Sequence, residues 1–120
     1  MDKLTLVLGA SENTQRYSNM AIRRLLDHNH SVKAIGNKTG EVRGVFIEKG
    51  MIPYDTIDTI TLYLNPMNQV PYYDYILSLN PKRVIFNPGT ENSELQKILL
   101  DHGIHYEEAC TLVLLSTNQY

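Results

Sequence analysis

Short apolar runs, separated by loops and helical segments, constrain this chain more than any other feature. Leu4-Thr5-Leu6-Val7-Leu8 is nearly continuous and stops at Gly9. A run of that length without polar alternation reads as a strand buried on both faces, as in parallel sheets. Val32-Lys33-Ala34-Ile35, Thr59 to Leu64 and Arg83 to Phe86 repeat the signal, and a further strand is expected near Ile104 to Glu107. Val45-Phe46-Ile47, in a glycine-punctuated stretch reaching Gly50, reads as a minor strand. Between these lie helices. Ser18 is placed to cap the first, in which Ile22, Leu25 and Leu26 share a face while Arg23 and Arg24 turn outward. A second helix is expected around Val70 to Leu79 and a third from about Glu91 to His102. The segment Cys110 to Ser116 is apolar, and periodicity does not decide between helix and strand. The alternation predicts an α/β fold: a Rossmann-like, doubly wound, mainly parallel sheet of about five strands with helices on both faces.

Length and charge narrow the function classes. A chain of 120 residues can bury a core without staples, and one domain over residues 1–120 is expected. Eleven Lys and Arg against 13 Asp and Glu leave a net charge of −2, so no global field draws the chain to nucleic acid or an anionic membrane. No apolar stretch approaches the ~20 residues that cross a bilayer, and the polar turn at Ser11 comes too early for a signal peptide. A cytoplasmic location is expected. Cys110 is the only cysteine, which excludes an intramolecular disulfide.

Most conspicuous side chains have a plain structural reading. Leu25-Leu26-Asp27-His28-Asn29 echoes Leu99-Leu100-Asp101-His102-Gly103, each ending a helix. His28 and His102 are then placed beside helix C-termini, with Asn29 and Gly103 at the left-handed cap position, and no metal site is expected. Glu107 and Glu108 are adjacent on a strand and face opposite sides, so they need not converge. Cys110 reads as a small buried hydrophobe that is unreactive. Tyr72-Tyr73-Asp74-Tyr75 lacks interleaved cations and reads as packing or a protein interface rather than a base-stacking platform. There is no Ser elbow, C-x-x-C or H-E-x-x-H, and no catalytic constellation is recognised.

In an open parallel sheet, ligands lie outside the carboxyl ends of the strands. After the first strand, Gly9-Ala10-Ser11-Glu12-Asn13-Thr14-Gln15-Arg16 offers backbone amides, small polar side chains and a cation near a helix start, which suits an anion. It is neither G-x-G-x-x-G nor a P-loop. After the second strand stand Asn37 and Lys38, where an NAD site usually has an acid. Lys38 is either an exposed loop lysine or the reader of a phosphate on a nucleotide's ribose. Asn65-Pro66 and Asn87-Pro88-Gly89 follow later strands at the same edge, whereas Asn80-Pro81 precedes a strand and reads as turn punctuation.

These residues resemble a family. Val7 to Asn13 (V-L-G-A-S-x-N), Arg16-Tyr17-Ser18, Asn37-Lys38, Tyr63-Leu64-Asn65-Pro66, Phe86-Asn87-Pro88-Gly89-Thr90 and Glu108-Ala109-Cys110 stand in the order found in small stand-alone CoA-binding proteins. Those proteins have a Rossmann-like fold related to the N-terminal domain of the succinyl-CoA synthetase alpha subunit. The resemblance runs over nearly the whole chain. It implies that Gly9, Ala10, Ser11, Asn13 and Thr14, with Arg16, approach the CoA phosphates. It places Asn37 and Lys38 near the adenosine end, and Asn65, Pro66, Met67, Asn87, Pro88 and Gly89 along the remaining groove. Gly36-Asn37-Lys38 departs from the Asn-Pro-Lys common in the family. The synthetase's second domain, with its phosphorylated histidine, has no counterpart here, so ligase activity is not implied.

The resulting expectation is a module that binds coenzyme A or an acyl-CoA, with no catalysis of its own. An NADP- or NAD-binding redox-sensing subunit is an alternative on the same fold, and an interaction protein that kept the fold without the ligand is another. The expected partner is a small nucleotide ligand, not nucleic acid or membrane. A homo-oligomer or a protein partner is left open.

Overall fold

The computed structural model describes residues 2–120. Its elements are β1 (Thr5–Leu8), α1 (Tyr17–Asp27), β2 (Val32–Ile35), β3 (Gly40–Val42), β4 (Val45–Glu48), β5 (Thr59–Leu62), α2 (Pro66–Gln69), α3 (Tyr73–Leu79), β6 (Arg83–Phe86), α4 (Ser93–Asp101), β7 (His105–Glu108) and α5 (Thr111–Ser116). The apolar runs are buried strands as expected: every residue of β1, β5 and β6 is buried. They form a mainly parallel sheet of order β3-β4-β2-β1-β5-β6-β7, in which only β3 runs antiparallel, against β4. Alternate residues of β1 serve opposite layers. Leu6 and Leu8 join Ile76 and Leu79 of α3 and Leu95 and Leu99 of α4. Val7 joins Ile22 and Leu25 of α1 and Leu115 of α5 on the other face. Fully burying one such side chain stabilises by about 1.5–3 kcal/mol, so both faces contribute to the core.

Several expectations need local correction. The sheet has seven strands rather than about five, because the short edge strand β3 pairs with β4. Arg16, not Ser18, is the N-cap of α1, and Ser18 is buried inside the first turn. The helix expected around Val70 to Leu79 is broken into α2, a 3-10 turn over Val70–Tyr72 and α3. Pro71 lacks the amide an uninterrupted helix would need there, while Pro66 occupies the first position of α2, where that amide is dispensable. Asn92 caps α4, so that helix starts at Ser93. The apolar segment after Cys110 is a helix, α5.

The histidine echo is structural. His28 Nδ1 lies 2.8 Å from Arg24 O and His102 Nδ1 lies 2.9 Å from Ile98 O, each at the end of its helix. Asn29 and Gly103 follow with φ of 64° and 71°. At the amino edge of the sheet, Tyr120 closes the fold. Its hydroxyl is 2.5 Å from Thr5 Oγ1, and its carbonyl accepts from Lys3 Nζ at 2.6 Å and Arg83 Nη1 at 3.0 Å. The Arg83 guanidinium also lies 4.4 Å from the Tyr120 ring centre. Two cations of this edge are thereby engaged by the chain itself.

The opposite, carboxyl edge is where the winding reverses: β2 lies on one side of β1 and β5 on the other. Backbones crowd there. The Ile35 carbonyl accepts from both Gly9 N (2.9 Å) and Ala10 N (2.8 Å). A Cβ on Gly36 would stand 2.3 Å from Ala10 O, so only glycine lets the two loops meet. Gly36→Ala should therefore cost about 1–3 kcal/mol and lower the melting temperature by about 5–10 °C. Calorimetric melting checks this, and an unchanged melting temperature would mean that the loops have slack at this contact.

Candidate functional site

The loop from β1 to α1 is held by its own polar groups. Ser11 Oγ accepts from Asn13 N at 3.0 Å, and Asn13 Oδ1 accepts from Gln15 N at 3.0 Å. From below, buried Asn19 donates to Ser11 O at 3.1 Å and accepts from Arg23 Nε at 2.9 Å. Glu12, the acid in this loop, is taken up by β3, where its Oε2 accepts from Glu41 N at 2.9 Å. Fixed in this way, the loop leaves the amides of Ser11, Thr14, Tyr17 and Ser18 without a partner among the described residues. The last two open the first turn of α1, which contains no acidic residue. Free amides and the helix dipole favour an anion there by about 0.3–1 kcal/mol at an exposed site.

This helix start faces a cleft of about 660 Å3 between the ends of β2, β1 and β5. Arg16 is the one charged side chain in its lining, and it forms no ion pair among the described residues. Gly9 lines the cleft where its backbone passes close to Tyr63. A Cβ there would stand 2.9 Å from the Tyr63 carbonyl carbon, and its φ is 101°. Tyr63, the first residue past β5, is half-buried, and burial pushes its hydroxyl up to about 12. Tyr63 thus stays a neutral phenol across the physiological range.

Two buried amide side chains brace the loops behind the other wall. Gln69 Nε2 donates to Leu64 O and Thr90 O, both at 2.8 Å, and its Oε1 accepts from Asn92 Nδ2 at 2.9 Å. This ties the loop after β5 to the loop after β6. Asn87 Nδ2 donates to Thr61 Oγ1 (2.7 Å) and Leu62 O (2.9 Å), while its Oδ1 accepts from Thr111 N at 2.9 Å. That side chain joins β5, β6 and the start of α5.

Of the residues singled out in the sequence, Gly9, Ala10, Ser11, Arg16 and Asn37 line the cleft. Lys38 is exposed in the next bend, one residue beyond Asn37, and Asn13 and Thr14 are exposed on the outer loop. Asn65 caps α2 by accepting from Asn68 N at 2.9 Å, with Pro66 behind it, and Met67 is exposed. Asn68, rather than these three, reaches the cleft. Asn87 and Pro88 line a second, smaller cavity, and the Gly89 amide donates to Glu91 Oε1 at 2.9 Å. Tyr17, Met51, Pro71 and Tyr72 also line the cleft and were not anticipated. The rule that ligands sit beyond strand ends would have found Tyr63, whereas Met51, Pro71 and Tyr72 arrive from long connections.

The second cavity, about 220 Å3, shares Tyr17 and Tyr63 with the first and is completed by Cys110 and Leu112. Cys110 is half-buried at the N-cap of α5 and lines this cavity, which corrects the reading of it as a core residue. Glu107 and Glu108 diverge: Glu107 pairs with Arg83 at 3.7 Å, and Glu108 accepts from Gln96 Nε2 at 2.8 Å. Among the described residues no helix is long and apolar enough to cross a membrane.

Comparison with known proteins agrees with this fold. A solved structure of an uncharacterized protein superposes with a TM-score of 0.97 at 50% identity, covering 100% of this chain and 99% of that one. A Thermus thermophilus protein gives a TM-score of 0.86 at 20% identity, over 99% of this chain and 91% of that one. The dinucleotide-forming acetyl-coenzyme A synthetase 1 of Ca. Korarchaeum cryptofilum, solved with phosphate and ADP, gives 0.71 at 18% identity, over 89% of this chain and 25% of that one. At such identities the last two show the fold alone. No curated protein matches the sequence. The family model described as CoA binding domain matches residues 3–116, and the chain belongs to that family.

Proposed function

We propose that this chain binds coenzyme A or an acyl-CoA across the carboxyl edge of the sheet and acts as a binding module without chemistry of its own. The observation that carries this reading is the start of α1. Free amides, an unpaired Arg16 and no acid in the first turn face a cleft at the reversal point of a CoA binding domain. The diphosphate would lie there, and the ribose end would lie toward Asn37 and Lys38. The lack of an acid after β2 favours a ribose carrying phosphate over the free hydroxyls of NAD. Thr61, Asn87 and Thr111 are committed to one another, which supports holding a ligand rather than transforming it.

CoA should stabilise the folded protein and NAD should not. Ligand at 100 times its dissociation constant adds ~2.7 kcal/mol, a rise of several degrees in melting temperature. Equal thermal shifts with the two ligands would remove the preference, and no shift with either would favour an interaction protein.

Lys38 and Arg16 should fail differently. A hydrogen bond to a charged group contributes about 1.5–3 kcal/mol, so losing either side chain should weaken CoA by ~10-fold or more. Lys38→Ala should spare dephospho-CoA, which lacks the ribose phosphate, whereas Arg16→Ala should weaken both ligands alike. Titration calorimetry of the four combinations decides. Equal weakening of both ligands by Lys38→Ala would show that Lys38 is not the phosphate reader.

A further inference from the structure

The second cavity lies where the far end of such a ligand would arrive. It sits at the ends of β5, β6 and β7, walled by Tyr17, Tyr63, Pro88, Cys110 and Leu112, with Asn87 as its polar member. No charged side chain lines it. Asn87 offers no spare donor, because both its amide hydrogens go to Thr61 and Leu62. An occupant would therefore meet mostly apolar walls, with no charged side chain to pair with and only the Tyr17 and Tyr63 hydroxyls as further polar groups.

Distance selects the occupant. β7 is three strands from β1 in the sheet, or ~14 Å at about 4.8 Å per strand. The pantetheine arm has about 13 bonds from phosphate to sulfur. At the ~1.2 Å per bond of an extended chain it reaches ~16 Å. With the diphosphate at the start of α1, whose Tyr17 forms the near wall of the cavity, an arm of that length reaches as far as the opposite wall at Cys110 and Leu112. The shared residues Tyr17 and Tyr63 place this cavity next to the cleft. A cavity of about 220 Å3 admits a chain of about two to five carbons, taking roughly 30 Å3 for each small group and leaving room at the mouth.

We infer that this cavity is an acyl subsite, and that the preferred ligand is a short, uncharged acyl-CoA such as the acetyl to butyryl thioesters. The inference rests on CoA lying in the main cleft. Each buried methylene should tighten binding about fourfold, so butyryl-CoA, with two more, should bind about 16-fold more tightly than acetyl-CoA. Succinyl-CoA, of similar length but charged, should bind more weakly than butyryl-CoA.

Titration calorimetry with CoA, acetyl-CoA, butyryl-CoA and succinyl-CoA tests this, on the natural chain and on two variants whose folding is checked by melting. Leu112→Trp fills the cavity and should bring the ratio of butyryl-CoA to CoA affinity close to one. Val113→Trp, on the exposed side of the same helix, should keep the ratio of the natural chain. CoA binding with no gain from the butyryl group would overturn the acyl subsite and leave the CoA reading standing. A butyryl preference that survives Leu112→Trp, or a preference for succinyl-CoA, would also overturn it. No binding of any of the four would overturn the CoA reading and the subsite with it.

Discussion

The contact between the loops after β1 and β2 is the constraint on which the site depends. One carbonyl, that of Ile35, holds the amides of both Gly9 and Ala10, and the neighbouring Gly36 has no Cβ to hold Ala10 away. This approach turns the chain sharply off the end of β1 and aims the start of α1 across the sheet edge. Without it, the free amides of α1 and Arg16 would not face the cleft. A close backbone contact of this kind is cheap only for glycine, since any side chain must displace backbone atoms.

The other wall is built from polar rather than apolar contacts. Gln69, Asn87 and Asn92 are buried, yet their side-chain amides each find partners in neighbouring loops. A buried amide left unpaired would cost about 1–3 kcal/mol, so the network holds the loops after β5 and β6 in one arrangement. Its members are spent in doing so, which leaves the cavity beside Cys110 with an apolar character despite the asparagine in its lining. Support and recognition are thereby divided between different residues of the same Asn-Pro segments. Asn87 supports, and Pro88 contributes surface.

Much of the architecture was legible from single segments. Leu4 to Leu8 could only be a strand buried on both faces, and the Arg24–Asp27 and Ile98–Asp101 turns end helices in the same manner with His and a left-handed residue. Where local reading failed, a partner distant in sequence had decided. Three residues, Gly40–Val42, have no strand signal of their own and extend only because β4 pairs with them. Ser18 has the chemistry of a cap, but α1 begins earlier, at Tyr17, and buries Ser18. Pro71 interrupts the helix expected around Val70 to Leu79, because it brings no amide to a continuous helix.

By itself the sequence determined the alternation of buried strands and helices, and with it the doubly wound sheet and the edge at which the cleft opens. It also determined the chemistry of the first loop, because Gly9, Ser11 and Arg16 are neighbours in the chain. Tertiary structure alone decided that Met51, Pro71 and Tyr72 complete the cleft, and that Asn87 and Asn65 are turned toward the protein. It also placed Cys110 beside Tyr17 and Tyr63. The physical reason is range. Strand and helix signals arise from side chains within a few positions of one another, whereas a cavity is the space left by segments whose separation is set by packing.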